Sequence, residues 1–345
     1  MMQTITKGSI RNALLLFLSL VLSGSVRAVQ TGSSQGYATD KFDGFEAIDH
    51  ENERVAQKDK SFWYSVREST AEAQLAYAVR MEAEGHIRSA RKGYEALIRE
   101  WPTVPQAVTA QTKLAHLFES IGKYEKAFDE YQYLLTYFAG HCSYNEVLDR
   151  QFRIANDLLH NNRSMFGWLL NGTDAIRERF EQIVRNAPRA ANVPEIMLII
   201  GSLRVSEDEY DEAIAVYDGL LNRFPNAPQA TSAVFLAAQC RHTVALKHST
   251  NEARCREAIA FFKAVLARIP NHPQKAQMTT WLNELNALLV EQNFKQAVFY
   301  DTRQRNEAAA KTAYRRFLTE FPDSQHAKEV RARLAELEKK SPPAK

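Results

Sequence analysis

Apolar residues recur at helical spacing between Tyr210 and Pro225, where the chain reads YDEAIAVYDGLLNRFP. The small residue Ala213 is followed four residues later by Tyr217 and eight residues later by Leu221. Positions spaced by four lie on one face of an α-helix, so this pattern predicts an amphipathic helix. Because proline cannot continue a helix, Pro225 predicts where this one ends.

The same pattern occurs six times along the chain. Its first residues are Ala90, Ala127, Ile176, Ala213, Ala258 and Ala310. Four residues later comes an aromatic residue, at Tyr94, Tyr131, Phe180, Tyr217, Phe262 and Tyr314. Eight residues later comes an aliphatic residue, at Ile98, Leu135, Val184, Leu221, Leu266 and Leu318. Twelve residues later comes proline, at Pro102, Pro188, Pro225, Pro270 and Pro322, with Ala139 in the remaining case. Such recurrence indicates a repeat protein.

Each repeat predicts a hairpin of two helices, in which the small residue lets a partner helix approach and the aromatic fills the gap between hairpins. The offsets resemble the tetratricopeptide motif, and Ile200 and Gly201 occupy the Leu-Gly pair of that motif. A lone hairpin cannot bury its apolar face, so hairpins stack. We therefore predict an all-α fold, a tetratricopeptide-type right-handed solenoid of about six helical hairpins with a C-terminal capping helix.

The predicted solenoid covers residues 61–339, and 340–345 form a disordered tail. Its repeats are 37 to 52 residues apart, which is longer than the family's 34 residues and predicts lengthened helices or loops. One long helix is expected from about residue 273 to 303. An apolar, glycine-containing insertion at 161–172 either folds back on its hairpin or presents Phe166 and Trp168 to a partner.

The first 28 residues have the features of a secretory signal peptide. Lys7 and Arg11 precede the apolar run 13–22, and small residues flank a cleavage point after Ala28. The alternative is an uncleaved anchor or a core helix. Residues 29–60 follow as a flexible polar leader, which ends in the aromatic cluster 62–64.

Residues 22–25 resemble a bacterial lipobox, but Ser25 stands where the lipid-bearing cysteine would be, so we expect no lipidation there. The exported chain is expected in the periplasm, peripheral to the outer membrane and without a membrane span. Loss of Lys7, Arg11 and Arg27 brings the formal charge from +3 to 0. A neutral chain has no global attraction to nucleic acid or anionic lipid, so neither is an expected partner.

Candidate chemistry is sparse. Cys240 and Cys255 flank a hairpin loop and form either a disulfide or two buried thiols. With His242 and His248 they lack the paired spacing of a zinc site, so no metal is expected. The sequence contains no phosphate-binding glycine loop of the Walker type and no HExxH motif. We therefore expect neither an enzyme nor a cofactor.

The last third of the chain resembles the BamD family of outer-membrane assembly lipoproteins. The resemblance lies in QNFKQAVFY at 292–300, YRRFL at 314–318 and EFPDS at 320–324. It implies a non-catalytic periplasmic scaffold whose partners are the barrel-forming assembly subunit and unfolded outer-membrane proteins. The alternative is a periplasmic tetratricopeptide regulator of a cell-wall synthesis or envelope complex.

First helices of a solenoid line its concave side, where an extended peptide would gain apolar contacts and hydrogen bonds. The predicted partner-binding groove therefore includes Leu75, Val79, Glu82, Thr112, His116 and Glu119, together with Phe166 and Trp168 of the insertion.

Overall fold

The computed structural model describes residues 65–162 and 172–340. The predicted signal peptide, the leader, the aromatic cluster 62–64 and the groove residues Phe166 and Trp168 lie outside these ranges.

Within the described ranges the chain forms thirteen α-helices and no strand. The first six are α1 (Ala71–Ala83), α2 (Ile87–Glu100), α3 (Pro105–Ser120), α4 (Tyr124–Tyr137), α5 (Tyr144–Asn162) and α6 (Thr173–Asn186). The next seven are α7 (Val193–Ser206), α8 (Tyr210–Arg223), α9 (Ala230–Lys247), α10 (Glu252–Arg268), α11 (Lys275–Thr302), α12 (Glu307–Glu320) and α13 (Ala327–Lys340). Six hairpins and a final helix confirm the predicted fold class, while the hand of the solenoid stays a prediction.

The chain divides into two compact units, with the boundary between Ile196 and Met197 inside α7. In the first unit, α1 packs on α2 and α3 on α4, and the hairpins join because α2 also packs on α3 and α4 on α5. Helices α5 and α6 complete this unit. Each helix therefore contacts its neighbours in sequence, as expected when stacking buries the apolar faces.

In the second unit, α8 packs on α9, and the same succession continues through α10, α11, α12 and α13. Helix α11 is 28 residues long and packs against both α10 and α12. The predicted long helix is therefore confirmed, and it explains the extra length of this repeat. No described helix is long and apolar enough to cross a membrane.

Local signals account for several helix boundaries. Thr70, Asn251 and Asn306 each accept a hydrogen bond from the backbone N–H three residues later, which caps α1, α10 and α12. Pro105 begins α3, where a missing N–H costs nothing. These caps fix where the first turn of each helix forms.

The repeated pattern forms the core. All six small or aliphatic residues at its start are at most 3% exposed, and so are all six aromatics four residues later. Gly93 brings α2 against α1, since an added Cβ would lie 2.9 Å from Cβ of Ala78. Gly93 therefore marks a close helix approach, and the first residues and aromatics of the pattern are packed in the core.

The prolines are not needed to end the second helices. Five of these helices end two residues before the predicted proline, and α4 ends at Tyr137 in the same register although Ala139 follows. The residue after each helix end donates its N–H to the carbonyl four residues earlier, as Phe138 does to Leu134. Hairpin geometry therefore fixes the helix end, and proline reinforces it.

The turn inside four hairpins uses a left-handed backbone conformation nine residues before the core tyrosine. Gly85 and Gly122 occupy it with φ of 78° and 71°. Asp208 and Arg305 occupy the same position in later hairpins with φ of 65° and 50°. Glycine enters this region freely, whereas a residue with a Cβ adopts it at a cost.

Candidate functional site

A tyrosine-to-carboxylate hydrogen bond recurs inside three hairpins. The hydroxyl of Tyr131 donates to Glu119 Oε2 at 2.7 Å, linking α4 to the end of α3. Tyr94 donates to Glu82 at 2.5 Å, and Tyr314 donates to Asp301 at 3.1 Å. Burial and the adjacent carboxylate raise the pKa of each tyrosine well above its ordinary value, so the phenol stays protonated and keeps donating.

An arginine from the following first helix completes this arrangement in two cases. Arg150 of α5 donates to Glu119 at 3.2 Å, and Arg333 of α13 donates to Asp301 at 2.7 Å and 3.0 Å. Each arginine lies nineteen residues after the tyrosine that bonds the same carboxylate. The resulting groups Tyr131–Glu119–Arg150 and Tyr314–Asp301–Arg333 tie one hairpin to the next helix.

Lys113 of α3 takes the equivalent position after the first hairpin, nineteen residues after Tyr94. Among the described residues, no carboxylate lies within ion-pair distance of its ammonium group. The side chain instead lines a cavity of about 400 Å³ in the first unit. Arg150 and Arg333, at the equivalent positions, are therefore paired with carboxylates, whereas Lys113 is not.

The cavity lies between α3 and α5, and the loop before α5 forms part of its wall. Helix α3 contributes Val108, Thr109, Thr112, Lys113 and His116, while α4 contributes Tyr131. The remaining lining residues are His141, Cys142, Ser143, Glu146, Val147 and Arg150. This volume is within the range of small-ligand and side-chain sites, and its lining mixes hydroxyls, imidazoles and both signs of charge.

The charged side chains around the cavity differ in the number of their partners and in their exposure. Arg150 is held by Glu119 at 3.2 Å and by Glu146 at 3.3 Å. Glu119 is itself bonded by Tyr131, whereas the Glu146 side chain is 59% exposed. Burial, together with the positive charges of Arg150 and Lys113, lowers the pKa of His116. At neutral pH His116 is therefore an uncharged imidazole that can donate or accept a hydrogen bond.

The structure brings part of the predicted groove together. Thr112 and His116 line the cavity, and Glu119 lies behind it as the partner of Tyr131 and Arg150. Leu75 and Val79 are half-buried on α1 and are not among the cavity residues.

Glu82, the last predicted groove residue of α1, also lies outside the cavity lining. It accepts the hydrogen bond from Tyr94 and therefore has a structural contact within its own hairpin. A role of these residues in partner binding stays a prediction.

The sequence pattern does not single out Lys113, Glu146 or Arg150, because charged residues on helices usually lie on the solvated face. A spacing signal was available, since Glu82 and Glu119 lie 37 residues apart, as do Tyr94 and Tyr131, and Lys113 and Arg150.

Buried glutamines also repeat with this offset of 37 residues. Gln74 donates to the carbonyl of Gly93 at 3.0 Å, and Gln111 donates to the carbonyl of Glu130 at 3.0 Å. Both side chains are fully buried. The Gln74 bond joins α1 to α2. The Gln111 bond joins α3 to α4 and so helps to fix where the cavity residues of α3 point.

Cys240 and Cys255 are free buried thiols in the structure. The Cys255 thiol donates to the carbonyl of Leu285 on α11 at 3.3 Å. Burial raises the pKa of Cys240 to about 12, which makes its thiol unreactive. Within the described ranges no group of three or more histidine, cysteine or acidic side chains is placed to hold a metal ion.

Comparison with known proteins agrees with the repeat pattern. Residues 174–336, from α6 to α13, match the family model YfiO, described as an outer membrane lipoprotein, which is the BamD lipoprotein family. Residues 82–140 match a tetratricopeptide repeat family. No curated protein sequence matches the chain significantly.

Several solved structures of tetratricopeptide repeat proteins align with the chain. The C-terminal part of a repeat protein from Cytophaga hutchinsonii is 14% identical, over 76% of this chain and 88% of that one, with a TM-score of 0.30. A protein from Thermus thermophilus is 16% identical, over 62% and 99%, with a TM-score of 0.29. YrrB is 15% identical, over 70% and 100%, with a TM-score of 0.29. Superpositions at this level establish no shared function or site.

Proposed function

Because the chain is a tetratricopeptide repeat protein that resembles the BamD family, we propose that it is a non-catalytic scaffold in outer-membrane β-barrel protein assembly. It would act in the periplasm, holding the barrel-forming subunit and receiving unfolded outer-membrane proteins. The observation that carries this proposal is the family match over residues 174–336, which extends from α6 into α13.

The physical basis is the stacking of hairpins. Each hairpin buries its small and aromatic residues between helices and leaves polar and charged side chains exposed. Surfaces of this kind bind another polypeptide through many modest contacts, without changing its covalent structure. Such binding is what an assembly scaffold has to supply.

Attachment to the membrane would differ from that of a lipoprotein. Ser25 cannot accept the diacyl group that a lipobox cysteine carries, so we propose that a signal peptide is cleaved near Ala28. The mature chain would then be held at the outer membrane by its protein partners alone.

Affinity purification of the full chain from native envelopes tests the proposal. We expect the barrel-forming outer-membrane subunit among the captured proteins. Capture of a peptidoglycan synthase complex without that subunit would contradict the proposal and support a role in cell-wall regulation.

Two exposed apolar residues provide a test position and a control position for this experiment. Phe299, 48% exposed on α11, lies inside the family-matching segment, and Ile121, 38% exposed at the end of α3, lies outside it. We expect Phe299→Glu to reduce capture severalfold and Ile121→Glu to leave it unchanged, because exposed apolar side chains favour interfaces and only Phe299 lies in the family-matching segment. Equal capture by both variants would place the contact elsewhere.

A further inference from the structure

Ala96 of α2 is buried on a side of the helix that points away from the core. It lies two residues after Tyr94, about 200° around the helix from that core ring. Ala96 is nonetheless only 1% exposed. Its neighbour Glu95, a residue type that rarely lies inside a protein, is 8% exposed.

The equivalent position is open in the other hairpins. The residue two after the core aromatic is half-buried or exposed in all five, at Tyr133, Gln182, Gly219, Ala264 and Arg316. Ala264 has the same side chain as Ala96 and is exposed, so residue size does not explain the difference. The helix that carries Ala264 packs on the first helix of its own hairpin, as α2 packs on α1. Packing on α1 therefore does not account for the burial of Ala96.

The place of α2 in the array makes this burial unexpected. Each repeat of a solenoid is covered by its neighbours, and no helix precedes α1 within the described ranges. Ala96 belongs to the first hairpin, so it should be the most exposed of the six equivalent positions. Its burial indicates that another part of the chain covers this side of α2.

The chain enters the first hairpin close to this position. The backbone N–H groups of Arg67 and Glu68 donate to Gln74 Oε1 at 2.8 Å and 3.1 Å, and Gln74 Nε2 donates to the carbonyl of Gly93 at 3.0 Å. Gln74 therefore holds Arg67 near Gly93, about one helical turn from Ala96. Because a residue spans at most about 3.6 Å, residues 62–64 lie within about 18 Å of Arg67 and can reach Ala96.

Tyr77 of α1 borders the same surface. An added Cβ at Gly93 would lie 3.4 Å from Cδ1 of Tyr77, whose side chain is half-buried. Aromatic rings pack favourably on one another and bury a large apolar area. The aromatic cluster 62–64, which ends one residue before the described part of the chain, has the chemistry to fill this surface.

We propose that the aromatic cluster 62–64 packs over Ala96 and beside Tyr77, and so closes the open end of the first hairpin in place of a preceding repeat. A solenoid needs such a cap, because its first hairpin otherwise exposes the surface on which a further repeat would stack. The cluster is then an intramolecular cap and not a docking peptide for another protein. This contact does not depend on the proposed function.

Hydrogen exchange tests the cap without altering a helix. The full chain with Phe62→Ser, Trp63→Ser and Tyr64→Ser together should exchange the backbone amides of residues 93–98 severalfold faster than the unmodified chain, because the cover over this part of α2 is lost. The equivalent amides of residues 261–266 in α10 are the internal control and should keep their exchange rate.

Trp63 reports the contact directly. Ala96→Glu places a charge beneath the cluster, so it should red-shift the tryptophan emission of the full chain and increase its quenching by acrylamide. The same substitution in a Trp63→Phe chain should change neither. Ala264→Glu, at the equivalent exposed alanine, is the matched control and should leave the emission unchanged in both chains. Ala96→Ser keeps the small size and should behave as the unmodified chain does.

Unchanged exchange of residues 93–98 in the triple-serine variant overturns the proposal. An emission change on Ala96→Glu that is the same with and without Trp63 overturns it as well. Faster exchange there in a Phe166→Ser and Trp168→Ser chain, but not in the triple-serine variant, would assign the cover to the insertion 161–172. Exchange that becomes faster on dilution of the unmodified chain would assign it to a second copy of the chain. Either of these last two results also overturns the proposal.

Discussion

Gly201 of α7 lies directly against the ring of Tyr217 on α8, so that an added Cβ would come within 2.6 Å of Cζ and closer still to Cε1. The ring is fully buried. The glycine of the Leu-Gly pair is therefore required by the aromatic residue of the same hairpin. This contact explains in steric terms why the motif pairs these two positions.

Gly201→Ala should destabilise the second unit by about 1–3 kcal/mol, because a buried aromatic ring cannot move away without disturbing the core. Urea denaturation followed by circular dichroism at 222 nm measures the change. Gly140→Ala is the control, since nothing lies within 4 Å of its added Cβ. Equal stability of the two variants would mean that the ring has room to shift.

Tyr131→Phe should cost about 1.5–3 kcal/mol of unfolding free energy, because the lost hydrogen bond goes to the carboxylate of Glu119. Tyr217→Phe should cost about 0.5–1 kcal/mol, since its hydroxyl lies 3.4 Å from the neutral Ser202. Both rings are fully buried, so packing is matched. Denaturant midpoints that rank the two variants in the opposite order would contradict the structural role of the Tyr131–Glu119 bond.

Arg305→Gly should stabilise the chain by about 0.5–1 kcal/mol, because Arg305 has a φ of 50° that glycine adopts without steric cost. Arg303→Gly, two residues earlier with a φ of −91°, should not stabilise it. Thermal melting of both variants checks this pair. A lower melting temperature for Arg305→Gly would show that its side chain contributes more than its backbone conformation costs.

Acidification should weaken the second unit through His242. Its Nε2 lies 2.9 Å from Glu284 Oε2 and its ring stacks on Trp281 at 5.1 Å. Burial lowers the pKa of His242 despite the raising effect of Glu284. The unfolded chain takes up this proton near the ordinary histidine pKa of about 6.5, and the native state does so only at lower pH, so stability falls as pH decreases below about 6.5.

Urea midpoints at pH 7.5, 6.5 and 5.5 measure this dependence. His242→Gln should flatten the decline between the two lower values, because the substituted side chain does not titrate. His248→Gln, at an exposed position after the same helix, should leave the decline unchanged. A decline identical in all three proteins would assign it to other groups.

The sequence alone determined the hairpin architecture, because the residue types that pack in the core recur at fixed helical spacing. Ala213 and Tyr217 are four residues apart, so both face the neighbouring helices, and the sequence shows directly that one is small and the other aromatic. The same holds for Gly85 and Gly122, since glycine marks a left-handed turn. Asp208 and Arg305 adopt that turn without glycine, so composition gave no sign of them.

Only the tertiary structure decided which charges meet. Lys113 and Arg150 are on different helices, and whether their flexible side chains reach one cavity depends on how α3 and α5 are placed by the hairpins between them. The distinction between paired Arg150 and unpaired Lys113 depends on where the ends of the Glu119 and Glu146 side chains lie. Helical periodicity specifies which face of a helix is buried, whereas the positions of polar side-chain ends follow from contacts across the fold.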